Sequence, residues 1–320
     1  MSQESVAKSS DETEANCLNE FPEGLFEQCP EQFATTEEAL EFLKRVVENR
    51  GPNLHEHDAL SWCFISLWRD RVPFEQMRAV MQPVISNASC IQGFGFLKPH
   101  GYAGDFEIID RIYTYWKTDN PELRRFDEYF HAQPAPRAVR NRKTYLQKLL
   151  RRKVQSNSFH VLNIGSGPAR DISECLPLCP SVRFDCIDMD ENANDYGRSL
   201  CAGYPDQVVF QCQNVLRLRP QRSYDLIWSA GLFDYFSDRI FVATLRRLVR
   251  HIRAGGELVI GNFSKLNPSR YWMEAVGDWK LYHRTRAELI ALAARAGIPA
   301  DHVHVGAEPE NINLFLHING

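Results

Sequence analysis

The chain is predicted to be α/β, a doubly wound Rossmann-like sheet of seven strands ending in an antiparallel hairpin and preceded by a helical extension. Three observations carry this. Five short apolar runs, FHVLNI (159–164), VRFDCID (182–188), QVVFQC (207–212), YDLIWSA (224–230) and GELVIGNF (256–263), follow one another after residue 157. Their length and lack of alternation suit strands buried on both faces of a parallel sheet. Helical stretches at 169–177, 191–202 and 238–253 separate them, the alternation of a doubly wound fold. The last two runs, HVHVGAE (302–308) and NLFLHI (313–318), flank a short turn and read as the hairpin.

The first half is helical in pattern. Thr35-Thr36-Glu37-Glu38 reads as an N-cap region, followed by Ala39, Leu40, Leu43, Val46 and Val47 at helical spacing. A second helix is expected over 55–70, with Leu60, Phe64 and Leu67 on one face. A third is expected from Pro73, which suits a first turn, through Met77, Val80 and Met81. IQGFGFLKPHGYAGD (91–105) breaks periodicity with four glycines and a proline and is expected to be a loop. Helices resume at 106–117 and 137–153. Three segments are therefore expected: loosely attached residues 1–34, a helical N-terminal or lid domain at 35–156, and the α/β domain at 157–320.

Bulk properties narrow the function. A net charge of −4 gives no global field for nucleic acid or anionic lipid. The basic pairs and triplets, Arg151-Arg152-Lys153 and Arg246-Arg247, fall in helical stretches and read as solvated faces. The polar, acidic first 20 residues lack the apolar core of a signal peptide, and no apolar run is long enough to span a membrane. A cytoplasmic location follows as the expectation. The nine scattered cysteines read as reduced thiols, and Cys175 and Cys179 lack partners that would complete a zinc set. His251, His302, His304 and His317 are read as structural, and no metal is expected.

The chemistry centres on VLNIGSGPARD (161–171). Gly165 and Gly167 follow a strand and open a helix, where the missing Cβ lets backbone approach a ligand. Asp188 ends the second strand, 21 residues past Gly167, where an acid accepts ribose hydroxyls. A dinucleotide fingerprint wants glycine or alanine at 170, and Arg170 stands there.

The series Asn163, Gly165, Gly167, Ala169 resembles the E/D-x-G-x-G-x-G motif of class I S-adenosylmethionine (SAM)-dependent methyltransferases, with Asn163 in place of the acid and Ala169 in place of the last glycine. Gln213-Asn214-Val215, YDLIWSAGLFDYF (224–236) and RAGGELVIGNF (253–263) match the family's later landmarks in order. The resemblance covers 157–320. It implies SAM as cofactor, held by Asn163, Gly165, Ser166, Gly167, Asp188, Met189, Asn214, Val215 and Ser229. KPHGYAGDF (98–106), WSAGLFDY (228–235), GNFSKLNPSR (261–270) and DWKL (278–281) are similar to a bacterial subgroup. That subgroup includes 3-hydroxypalmitic acid methyl ester synthases of extracellular-factor biosynthesis and enzymes that cyclise SAM to azetidine-2-carboxylic acid.

Tyr102, Asp105, Tyr196, Ser229 and Tyr235 are the candidate catalytic residues, with the loop at 98–106 expected to close over the methionine end of SAM. Arg270 and Arg284 are candidates to bind a carboxylate, while Trp272 and Trp279 read as core. The leading expectation is a methyltransferase of secondary metabolism acting on a small molecule or an acyl carboxylate. The alternative is a SAM lyase in which SAM is itself the substrate and its amine displaces methylthioadenosine. A non-catalytic SAM-binding regulator ranks third. Sequence leaves the acceptor and the oligomeric state open.

Overall fold

The strands pair in the order β3-β2-β1-β4-β5-β7-β6. They are β1 (Phe159–Ile164), β2 (Val182–Asp188), β3 (Val208–Cys212), β4 (Tyr224–Ser229), β5 (Ile252–Phe263), β6 (Val303–Ala307) and β7 (Asn313–Asn319). The first five run parallel, and β7 inserts antiparallel between β5 and β6. The computed structural model describes residues 33–154, 158–220 and 222–320. The expectation for residues 1–34 falls almost wholly outside them.

Among the described residues seven α-helices precede the sheet: α1 (Thr36–Glu48), α2 (His57–Arg69), α3 (Phe74–Ile85), α4 (Ile91–Leu97), α5 (Phe106–Tyr113), α6 (Arg124–Ala132) and α7 (Pro134–Lys153). Thr35 caps α1 by accepting the Glu38 N–H at 3.2 Å. Pro73 is the N-cap of α3 and not its first helical residue. Between strands lie α8 (Arg170–Cys175), α9 (Glu191–Leu200) and α10 (Asp238–Leu248), and α11 (Arg270–Ala275) and α12 (Arg286–Arg295) follow β5.

Strand residues alternate between two packed faces. Val161, Leu226, Trp228, Val259 and Phe315 pack under α7 and α8 with Leu146, Leu149 and Ile172. Leu162, Ile164, Ile227, Leu258 and Leu316 face α10 and α12 through Phe241, Leu245, Leu289 and Leu292. Helices on both faces explain why the strands read as unbroken apolar runs. A third core joins α1–α6 to the far half of the chain, since Leu43, Phe64 and Phe126 share it with Phe263, Trp272 and Met273.

Several expectations change. Residues 91–97 are helical, not loop. The Cys90 sulfur caps α4 from the Gly93 N–H, and a Cβ on Gly93 would lie 2.7 Å from the Asn87 carbonyl carbon. That glycine serves close packing, not a turn. Helix α6 was missed, because its single turn of apolar residues sits among charges. The stretch 106–117 stops helically at Tyr113, and α7 begins at Pro134, whose lack of N–H costs nothing in a first turn. The strand β5 begins at Ile252, where it pairs with Tyr224, so the helix expected to reach 253 ends at Leu248.

Candidate active site

The strand order reverses between β1 and β4, and an open α/β sheet binds ligands at the carboxyl ends of the strands beside such a switch point. The glycine loop leaves β1 there. Gly165 (φ 65°), Gly167 (φ 52°) and Ala169 (φ 51°) all take left-handed backbone. Ala169 takes this left-handed backbone at a cost of about 1 kcal/mol against glycine. Gly165 also abuts Leu232, whose Cβ lies 2.9 Å from where a glycine Cβ would stand.

Asp188 holds this loop. Its carboxylate accepts the Gly167 N–H at 2.8 Å and the Asp190 N–H at 3.0 Å. Burial pushes its pKa up, while those two N–H groups pull against the shift. Asn163 is buried beside Cys186 and Trp228 in the sheet register; its side chain meets the weak Cys186 thiol, while its amide nitrogen has no well-directed hydrogen-bond acceptor. The Ser166 hydroxyl is likewise buried and unpaired. Such orphans are rare and point to a missing partner. A half-turn of the Asn163 amide would present its oxygen instead. Met189 stands 70% exposed at the end of β2, an apolar surface beside Asp188. Asn214 caps a short turn by accepting the Leu216 N–H at 2.8 Å, with Val215 buried next to it.

The loop 98–105 crosses the mouth of this site. The Tyr102 hydroxyl donates to Asp190 at 2.9 Å, next to the end of β2. The Tyr235 hydroxyl donates to the Ala103 carbonyl and accepts from the Trp279 indole, both at 2.9 Å. Lys98 pairs with Asp278 at 2.5 Å. The loop is thus tied to the β2 side and to the β4–β5 side. Burial and the bond to Asp190 raise the Tyr102 pKa, and burial raises that of Tyr235. Both remain neutral donors. Gly104 (φ 72°) passes so close to Tyr235 and Trp279 that a Cβ would collide with both.

Behind the glycine loop, Asp110 of α5 receives the Arg170 guanidinium in an ion pair and the Tyr196 hydroxyl at 2.7 Å. Arg170, which displaces the dinucleotide glycine, therefore fastens the helical half to the loop. Tyr196 is turned to this junction, 5.6 Å from the Phe106 ring.

Several candidates have other duties. Asp105 is buried and caps α5, its Oδ1 accepting the Ile108 N–H at 2.9 Å. Ser229 is fully buried, and its hydroxyl donates to the Ile164 carbonyl at 2.9 Å, joining β4 to β1. Both side chains thus have a structural role in the fold. Arg284 is 3% exposed and spends its guanidinium on Asn262, the carbonyls of Phe233 and Phe236, and Asp238. Arg270 pairs with Glu274 at 2.7 Å. These arginines hold the β5–α11 region and are not set aside for a ligand carboxylate. Trp272 is core, whereas Trp279 is half-buried at the lid.

Away from the switch point, Glu257, His304 and His317 bring potential ligand atoms within 4.8 Å of one another. His317 Nδ1 meets Glu257 at 2.7 Å, its Nε2 meets Tyr145 at 2.7 Å, and Lys153 pairs with the other Glu257 oxygen at 2.9 Å. The lysine ammonium supplies the cation that this buried carboxylate requires, and both His317 nitrogens are engaged.

Comparison with known proteins bears on the same segment. Residues 161–256 match the family model described as a methyltransferase domain. Malonyl-[acyl-carrier protein] O-methyltransferases align with the chain, that of Bacillus anthracis at 25% identity over 120 residues, which is 38% of this chain and 43% of that protein. The Bacillus cereus protein is 25% identical over 118 residues, covering 37% and 42%. The chain thus spans less than half the length of these relatives. A crystal structure of a possible exported protein from Bordetella parapertussis is similar in fold over 91% of this chain and 98% of its own, with a TM-score of 0.57 and 17% identity. The arrangement of helical extension and sheet is therefore shared as a fold. The family match and the site geometry support SAM as the cofactor. Among the described residues no helix is long and apolar enough to cross a membrane.

Proposed function

We propose that the chain is a SAM-dependent methyltransferase acting on a small molecule or an acyl carboxylate. The observation that carries this is the glycine loop clamped to Asp188 with two buried, unpaired polar groups, Asn163 and Ser166, at the switch point. The residues fit the cofactor. Asp188 retains acceptor capacity for ribose hydroxyls, Asn163 offers an amide to the ammonium, and Met189, Asn214 and Val215 border the adenine. Bound there, SAM supplies an electrophilic carbon on a sulfonium.

The chain's own part is to orient and to exclude water. The glycine loop fixes the cofactor's position, and in-line geometry supplies much of the rate in such displacements. Tyr102 and Tyr235 hold the 98–105 loop over the site, and their rings offer faces to a cation. Tyr196, with Asp110 and Arg170, keeps α5 docked on the loop. On this reading residues 35–156 serve as a lid on the SAM-binding domain at 157–320, and the protein works in the cytoplasm without nucleic acid.

The SAM-cyclising lyase is a second reading, favoured by the double fastening of the 98–105 loop, which covers the site with the chain's own residues. One experiment separates the two. Purified protein is incubated with SAM alone and with SAM plus a series of fatty and hydroxy-fatty acids, and products are identified by mass spectrometry. S-Adenosylhomocysteine and a methyl ester, formed only with acceptor, is the expected result. Methylthioadenosine with azetidine-2-carboxylate from SAM alone would overturn the methyltransferase reading. Binding without turnover under either condition would leave a regulator.

A further inference from the structure

Arg142 lies on α7, among the basic residues of that helix, yet it is 4% exposed. Its Nη1 donates to the Ala230 carbonyl at 2.8 Å. A Cβ on Gly231 would stand 2.9 Å from Nη1 and 3.5 Å from Cζ and Nη2, so the guanidinium lies against the turn that leaves β4. Its Nε is buried with no acceptor. Among the described residues no carboxylate oxygen comes within 4.0 Å of it. It acts at longer range on two buried carboxylates, Asp171, which accepts the Ile172 N–H at 3.0 Å, and Asp234, which accepts the Phe263 N–H at 2.6 Å. The Tyr113 hydroxyl on α5 also takes a side-chain hydrogen bond from the guanidinium, a neutral partner that leaves its charge unpaired.

A buried guanidinium without a paired anion costs several kcal/mol, and evolved sites pair it or use it. Arg142 stands at the carboxyl end of β4, bonded to Ala230 two residues past Trp228, which pairs in register with Asn163 of β1. That is where the amino-acid end of SAM falls if the glycine loop holds the rest. The ammonium has a partner in Asn163, while the carboxylate needs a cation. Arg270 and Arg284 are committed elsewhere.

We propose that Arg142 binds the carboxylate of the methionine part of the cofactor, donating from its unsatisfied guanidinium edge. This rests on the reading of the site as a SAM site. The arrangement makes Arg142 a specificity residue: it separates ligands with the α-carboxylate from adenosyl thioethers that lack it. Gly231 is then required, because a side chain there would displace the guanidinium.

The test is calorimetric titration of the full chain with S-adenosylhomocysteine and with its decarboxylated analogue, without acceptor. Wild type is expected to bind the carboxylate form about 10- to 100-fold more tightly, as a charge-assisted bond warrants. Arg142→Met is expected to lose about that factor for S-adenosylhomocysteine and to hold the decarboxylated analogue within about twofold, with Arg142→Lys intermediate. Equal affinity of wild type for both ligands would overturn the assignment, and that comparison needs no variant. Parallel loss of both ligands in Arg142→Met and Arg142→Lys would assign the arginine a structural role only and would also overturn it. Failure of wild type to bind either ligand would instead refute the SAM reading itself.

Discussion

Asp234 is fully enclosed in the short turn that follows β4, between the Phe263 N–H and the fields of Arg142 and Arg284. Burial outweighs those favourable neighbours and raises its pKa to about 6. A raised folded pKa has a definite sign. Below the ordinary value of 3.8 both states are protonated, and the contribution is fully present. As pH rises towards 6 the unfolded carboxyl ionises first, and stability is lost. Asp234→Asn keeps an acceptor for Phe263 and removes the titration. The variant is expected to gain about 1–3 kcal/mol relative to wild type between pH 4.5 and 7.5, in urea unfolding at the two pH values. An unchanged difference would show that the carboxyl titrates normally. At this scale the sequence named residue types well and their partners poorly. Asn163 and Asp188 were legible because a glycine loop and a strand end mark their places. Ser229 and Asp105 carry the same kinds of atoms, but a strand carbonyl and a helix N-terminus engage them. Arg142 left no signal, since nothing local distinguishes it from the solvated bases around it.

The loop 98–105 is the element on which the site depends. Tyr235 supplies one of its ties, as donor to Ala103, and is itself held as acceptor for Trp279. Tyr235→Phe removes both and leaves the Trp279 N–H without its partner. Loss of about 1–3 kcal/mol of local stability is expected. Hydrogen exchange of peptides covering 98–105 should quicken, while peptides covering β1 and β4 keep their protection. Unchanged exchange in the loop would show that Lys98 and Tyr102 suffice to hold it. Sequence marked this segment as special through its glycines but misjudged its extent. The first half of residues 91–105, expected as loop, is helix α4, because Gly93 and Gly95 admit neighbouring backbone and Ile108 at distances no Cβ allows.

The whole molecule shares its cores across the chain. Helix α7 packs in the sheet core, whereas α1–α6 pack on Phe263, Tyr271, Trp272 and Met273 from beyond β5. Asp110 and Arg170 add an ion pair between the halves. Shared cores couple unfolding. Far-ultraviolet circular dichroism and tryptophan fluorescence are therefore expected to report one coincident urea transition. Two separated transitions would show that the helical half folds as a unit of its own.

The sequence by itself determined the strand runs, their alternation with helices, the glycine loop and the acid at the end of β2. These are set by local patterns: burial on both faces, left-handed backbone and a polar strand end. Tertiary structure decided which polar groups are spent and which are spare. Ser229, Asp105, Arg270 and Arg284 are engaged by partners 3 to 65 positions away, while Asn163, Ser166 and Arg142 keep unsatisfied atoms. Hydrogen-bond capacity is local chemistry, but its satisfaction depends on which distant backbone the fold brings within 3 Å or so.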